Sequence, residues 1–264
     1  MLILAIPKSA STALVATLAY AHGLPVRTRE VRDEVLLRRP IAPGFWHVAQ
    51  FHRRDFVEVD AAVAVVLAAP GSFVKFHFPP TPTNQAMLRN IPKIVLVRNA
   101  EEIVSAYWRG EESGAWPSKS LEFAYCLGER RWQSRARALG LTEELRAWEE
   151  GWRLHDGSKL VIESAELLAN PRRMIRHAER YLGLPESGAG ELLRERYSRG
   201  ERAMRGWPTI LWGRRGPIAK RLLVDLCRLV TGGDGMAYAY LERRRRSRVF
   251  GHGTEGINEG SAQS

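Results

Sequence analysis

Apolar residues along this chain follow two rhythms: short unbroken runs, and longer stretches that repeat every three or four positions. Residues 2–6 form an unbroken run that stops at Pro7, as expected of a strand buried on both faces. Residues 11–21 then place Leu14, Leu18 and Ala21 on one side of a helix, and Gly23 is its natural stop. The chain is therefore expected to open as strand, tight loop and helix.

The alternation continues downstream. Residues 59–69, rich in Ala and Val, predict a helix closed by Pro70-Gly71, and residues 72–78 follow as a second strand. Residues 85–90 predict a short helix, 93–97 a third, buried strand, and 100–108 a helix. Residues 121–139 and 142–155 read as helices, 159–162 as a fourth strand, and 171–182 as a helix with Pro171 in its first turn and Gly183 at its end. Strands alternating with helices predict an α/β fold with three αβα layers around a central parallel sheet. No internal repeat is visible.

Residues 1–210 are expected to form this one domain. From Gly188 onward the pattern loosens: Leu222, Leu223, Leu226 and Leu229 fall at helical spacing, Gly232-Gly233 follow, and five arginines lie between Arg243 and Arg248. Residues 211–250 are expected to be a basic helical extension packed on the same domain, and the polar tail over residues 251–264 to be disordered.

Composition narrows the class. With 264 residues and 45% hydrophobic content, one large core can close without disulfides or metal. Cys126 and Cys227 are far apart and have no partner at metal-ligand spacing, so a reducing, cytoplasmic setting without a zinc site is expected. The apolar N-terminus does not read as an export signal, because Lys8 follows the apolar run and Pro7 splits it. No segment reaches the ~20 apolar residues of a membrane span. Forty Lys and Arg against 29 Asp and Glu, a net charge of +11, favour polyanionic partners.

In an open parallel sheet, ligands sit beyond the C-terminal ends of the strands. After the first strand stands Pro7-Lys8-Ser9-Ala10-Ser11-Thr12, where a helix N-terminus, three hydroxyls and an ammonium can cradle a tetrahedral oxyanion; simple helix capping by Ser9 or Ser11 is the plainer use. After the second strand, alternation puts Lys75 and His77 on one face, where an imidazole can take a proton and an ammonium can neutralise growing charge. A His77 merely bonded to backbone is the alternative. After the third strand, Arg98 and, two turns into the next helix, Ser105 can grip a phosphate; alternatively Arg98 pairs with Glu101 or Glu102 at the surface.

Taken together, these stretches resemble the 3′-phosphoadenosine 5′-phosphosulfate-dependent sulfotransferases. P-K-S-A-S-T resembles their 5′-phosphosulfate loop P-K-S/T-G-T/S-T, and K-F-H-F-P resembles the K-T-H-x-P of the cytosolic branch, the nearest in motifs. V-R-N-A-E-E-I-V-S-A-Y resembles the 3′-phosphate strand and helix. E-L-L-A-N-P, closing in Y-L-G-L, resembles the family's E-D-L-x-x-D-P…F-L-G-L segment. The matches run in order over about the first two-thirds of the chain.

The resemblance implies a P-loop NTPase-like fold and metal-free transfer of a sulfonate to a hydroxyl or amine. It implies that Lys8, Ser9, Ala10, Ser11 and Thr12 hold the 5′-phosphosulfate, Arg98 and Ser105 hold the 3′-phosphate, His77 is the general base, and Lys75 and Lys8 are electrostatic stabilisers. The sequence departs from the family pattern in three ways. Ala10 stands where the family has Gly, so the loop is expected to form without positive φ there. Ser105 follows Arg98 by seven residues where the family more often has eight, a turn of about 100° on a helix. The R-K-G-x-x-G-D-W-K element is absent, with the 243–248 region a loose substitute.

Two other classes fit parts of the chain. Lys8-Ser9 after a strand also resembles the end of the kinase loop G-x-x-x-x-G-K-[ST], but both glycines are missing and Arg98-Asn99 replaces the acid that would help hold Mg²⁺. A non-catalytic binder could instead use the basic C-terminal region on anionic membrane, while nothing resembles a nucleic-acid-binding motif. The acceptor is left open among small molecules, lipids, carbohydrates and peptides. Phe45, Trp46, His47, Phe51, Trp108 and Trp116 are candidates to wall its pocket.

Overall fold

A computed structural model describes residues 1–36, 39–52, 55–112, 123 and 128–197. The expected basic extension (211–250) and tail (251–264) lie outside the described residues, as does most of the 121–127 stretch.

Strand β1 (Leu2–Ala5) is wholly apolar and wholly buried. It pairs in parallel with β2 (Val74–Phe76) on one side and with β3 (Lys93–Val97) on the other, and β4 (Lys159–Glu163) pairs in parallel with β3. The order is β2-β1-β3-β4, with Leu2 opposite both Val74 and Lys93. The chain steps outward from β1 to β2 and then crosses back to β3. The sheet therefore changes direction at β1 and β3, and a crevice is expected at their C-terminal tips.

Around the sheet lie α1 (Ser11–Ala21), α2 (Thr28–Val31) running into a π-turn (Arg32–Leu36), α3 (Trp46–His52), α4 (Ala61–Ala68) and α5 (Pro82–Leu88). They are followed by α6 (Ala100–Glu112), α7 (Glu129–Ala138), α8 (Leu141–Leu154), α9 (Ser164–Ala169) and α10 (Pro171–Tyr181). Strand alternation sends Leu2, Leu4, Phe76, Val95 and Val97 into one core with Val104, Tyr107, Trp148 and Trp152. It sends Ile3, Ala5, Ile94, Leu96 and Ile162 into a second core with Leu14, Leu18, Met174 and Ile175. Both faces of an all-parallel sheet are thus covered, as an α/β fold requires.

The differences from expectation have local causes. The second strand is three residues long, not seven, because β1 ends at Ala5 and turns through Pro7, leaving nothing to pair beyond Phe76. Helix α5 starts at Pro82 rather than 85: the Thr81 side chain accepts from Asn84 N at 3.2 Å, and proline suits the first helical position. Helix α3 was not anticipated. Its N-terminus is capped by the Glu144 carboxylate of α8, which accepts from the backbone of His47 at 3.0 Å and Val48 at 2.9 Å, a tertiary contact no local pattern reveals.

Three buried side chains hold the tip of β2. Trp148 Nε1 donates to the His77 carbonyl at 3.2 Å, and Trp152 Nε1 to that of Phe78 at 2.9 Å. Asn84 accepts from Val59 N at 2.6 Å and donates to the carbonyls of Val57 at 3.0 Å and Pro79 at 2.8 Å. It thereby ties the segment after Asp55 to the segment after His77. Replacing Asn84 by Leu strands those backbone groups and should lower unfolding free energy by about 3 kcal/mol, read from urea denaturation. A loss below about 1 kcal/mol would show that the tie is dispensable.

Candidate anion-binding and catalytic site

The loop after β1 is unusual backbone. Lys8 has φ 65° and Ala10 φ 64°, both in the left-handed region. The expectation that the loop would avoid positive φ at Ala10 is corrected: the backbone takes the glycine-like geometry and carries the steric cost of a Cβ there. Ser9 is fully buried, and its Oγ donates to the Ile6 carbonyl at 2.6 Å, closing the turn. Its hydroxyl hydrogen serves the loop's shape.

Helix α1 begins directly after Ala10, and no side-chain hydrogen bond caps it. The plainer reading, capping by Ser9 or Ser11, is therefore not what the loop does. The first-turn N–H groups carry the partial positive charge of a helix N-terminus. Ser11 is buried and Thr12 exposed within that turn.

Lys8 lies among cations. Its Nζ is buried 5.8 Å from the Tyr107 ring centroid, in contact range for a cation–π interaction. Burial first, then Lys75, Arg109 and Arg98, lower its pKa from the ordinary 10.5 to about 6. At neutral pH the amine is mostly uncharged.

At the tip of β2, Lys75 Nζ lies 3.3 Å from His77 Nε2, so the predicted neighbours do meet. His77 Nδ1 is bonded to the Ala5 carbonyl. A carbonyl only accepts, so Nδ1 carries the hydrogen and Nε2 presents its lone pair to Lys75. Burial, chiefly, and then Lys75 hold the His77 pKa well below 6.5, so the ring is neutral under ordinary conditions. Burial also lowers the Lys75 pKa, against an upward pull from Asp55.

At the tip of β3, Arg98 Nη1 donates to the Lys8 carbonyl at 2.6 Å, while its Nε pairs with Glu102 at 2.9 Å. The surface pairing considered from the sequence exists, and the same side chain also braces the loop after β1. Ser105 lies further along α6, where its Oγ accepts from Gln133 Nε2 of α7 at 3.0 Å. The structure thus joins Lys8, Lys75, His77 and Arg98 in one charged cluster and engages Ser105 with a neighbouring helix.

Two residues that the sequence did not single out belong to this cluster. Arg32 donates through Nε to Asp55 Oδ1 at 2.7 Å and through Nη2 to Oδ2 at 2.9 Å, and Asp55 Oδ2 is 3.8 Å from His77 Nε2. Neither sits in a strand-end motif, and 23 residues separate the pair, so no local signal could have found them. The aromatic candidates scatter. Phe51 stacks on Tyr107 at 4.2 Å, Phe45 packs toward Phe56, Trp108 lies against Trp132, and Trp46 is exposed. Trp116 lies outside the described residues. His47 pairs with Glu144.

Among the described residues, no group of three His, Cys, Asp or Glu could hold a metal ion, and no helix is long and apolar enough to cross a membrane. A scan against protein-family models finds none that matches the chain, and a search of the curated proteins finds no match either.

The left-handed conformation at position 10 makes a specific demand. Ala10→Val should destabilise the protein by about 2 kcal/mol, since a β-branched residue resists positive φ, whereas Ala10→Gly should stay within about 1 kcal/mol of wild type. Equal stabilities for the valine and alanine proteins in urea melts would contradict the assigned geometry.

Proposed function

We propose that this chain is a sulfotransferase on a P-loop NTPase-like α/β fold. It would carry a sulfonate from 3′-phosphoadenosine 5′-phosphosulfate to a hydroxyl or amine. The observation that supports this most is the meeting of three neighbouring strand tips. Lys8 after β1, Lys75 within β2, His77 just after it, and Arg98 after β3 are linked one to the next by contact or electrostatic range. Their donors suit a doubly phosphorylated nucleotide: an uncapped helix N-terminus, an amine crowded by like charges that phosphate would protonate, and a guanidinium.

The donor supplies an electrophilic sulfonyl group and a phosphate leaving group. The first-turn N–H groups of α1 with Lys8, Ser11 and Thr12 would hold its 5′ end, and Arg98 with Ser105 the 3′-phosphate. Lys8 regains its proton beside phosphate and so becomes cationic only when the anion is there. His77 Nε2 takes the proton of the acceptor hydroxyl, and Lys75, which has three N–H donors, neutralises charge on the departing oxygen. The reaction is read as in-line and metal-free. The acceptor would be a small molecule, lipid, carbohydrate or peptide, met in the cytoplasm, and the basic C-terminal region is proposed as a contact for anionic membrane.

Binding tests the nucleotide. 3′-Phosphoadenosine 5′-phosphate should bind in the absence of Mg²⁺, more tightly than AMP or ATP, by calorimetry; a requirement for Mg-ATP would point to a kinase instead. The Lys8 pKa of about 6 fixes the sign of the pH dependence. Binding takes up a proton above that value, so affinity should fall as pH rises from 7 to 9, by at most about tenfold per unit, and Lys8→Met should flatten the slope.

Turnover tests the base. With labelled donor and a panel of acceptors, His77→Ala should cut kcat at least ~100-fold and leave nucleotide affinity nearly intact. Unchanged turnover removes His77 from the role.

A further inference from the structure

The proposed chemistry uses the cations at the β2 tip and leaves a buried carboxylate without a task. The Asp55 and His77 side chains are each 5% exposed. Arg32 grips Asp55 through two parallel hydrogen bonds, a fork geometry that fixes both oxygens, and Asn84 holds the following segment through Val57 and Val59. The carboxylate therefore has a defined place. Its Oδ2 stands 3.8 Å from His77 Nε2.

That short separation is not a hydrogen bond. With the hydrogen on Nδ1, both Nε2 and the carboxylate are acceptors, and two acceptors do not attract each other through a proton. The donor that satisfies Nε2 is Lys75 Nζ, at 3.3 Å. A buried ammonium is costly unless an opposite charge accompanies it. The charged and titratable groups facing Lys75 are His77 from the β2 tip, Arg32 from the π-turn, Lys8 from the loop after β1, and Asp55 from the segment after α3. Of these, Asp55 supplies the negative charge.

We infer that Asp55 is a positioning residue of this site, the buried counter-charge that favours a protonated Lys75 beside His77 Nε2, with Arg32 fixing where that charge sits. Its catalytic meaning rests on the sulfonate-transfer reading; the charge assignment does not. Asp55 favours the protonated form of Lys75, while burial, the larger influence, and Arg32 oppose it. The same carboxylate offsets the surrounding cations when Nε2 takes up a proton, because the imidazolium then forms within a few ångströms of it.

The test follows the Lys75 side chain directly. In the full-length protein carrying ¹³C-labelled lysine, the Lys75 Cε resonance is titrated by NMR in wild type, Asp55→Asn, Asp55→Glu and Arg32→Gln. Asp55→Asn keeps the shape and removes the charge, and should move the Lys75 midpoint down by about one pH unit or more. Asp55→Glu should restore much of it, and Arg32→Gln, which removes a cation, should move it up. The alkaline limb of the kcat profile should follow the same order.

An unmoved Lys75 midpoint in Asp55→Asn overturns the assignment. If that variant does not fold, a downward or absent shift in Arg32→Gln overturns it instead. A wild-type protein that transfers no sulfonate while Lys75 moves as stated sinks the function reading and leaves the charge assignment standing.

Discussion

Burial of one amine among like charges shapes the end of the sheet where the strand tips meet. Folding brings Lys8, Lys75, Arg98 and Arg109 close enough for each of the others to disfavour the charge on Lys8. Nothing in hydrophobic packing requires that arrangement, and it costs stability in the absence of an anion. The sheet tolerates it because the amine can shed its proton. One amine in a cationic cluster that is mostly uncharged at neutral pH follows from this one constraint.

The scaffold supports the crowding from behind. Two indole N–H groups on α8 fix the carbonyls of His77 and Phe78, Asn84 joins the segments that follow Asp55 and His77, and Arg98 braces the loop after β1 from the tip of β3. These bonds act on backbone groups beyond the last paired residue of each strand, where ladder pairing has stopped. Lys8, His77 and Arg98 thus ride on irregular backbone held by side chains of neighbouring elements, while Lys75 rides on β2 itself.

The sequence made the sheet legible because its strands are nearly pure apolar runs: β3 was read at its observed bounds, and α1 likewise. Lys8, His77 and Arg98 could be placed just past strand ends and Lys75 within β2 by the same reasoning, and the structure brings Lys75 against His77 and Arg98 against the Lys8 carbonyl. Periods of two and 3.6 carry no information about α3, whose cap comes from α8, or about Asp55, whose partner is Arg32 on a short π-turn. The length of β2 was overread because apolarity continues through Phe78 while its neighbour β1 ends at Ala5. At Ala10 residue type alone suggests an ordinary φ, and the tertiary environment imposes a left-handed one.

That alanine has a dynamic corollary. Glycine visits both hands of the backbone freely, so a glycine hinge would let the turn between β1 and α1 sample many shapes. An alanine held left-handed by the packing around it has far fewer alternatives once the chain is folded, and Ser9 locks the same turn from inside. A phosphate of the proposed donor would meet a loop whose ordering was completed during folding, so little conformational entropy would be left to lose at the moment of capture.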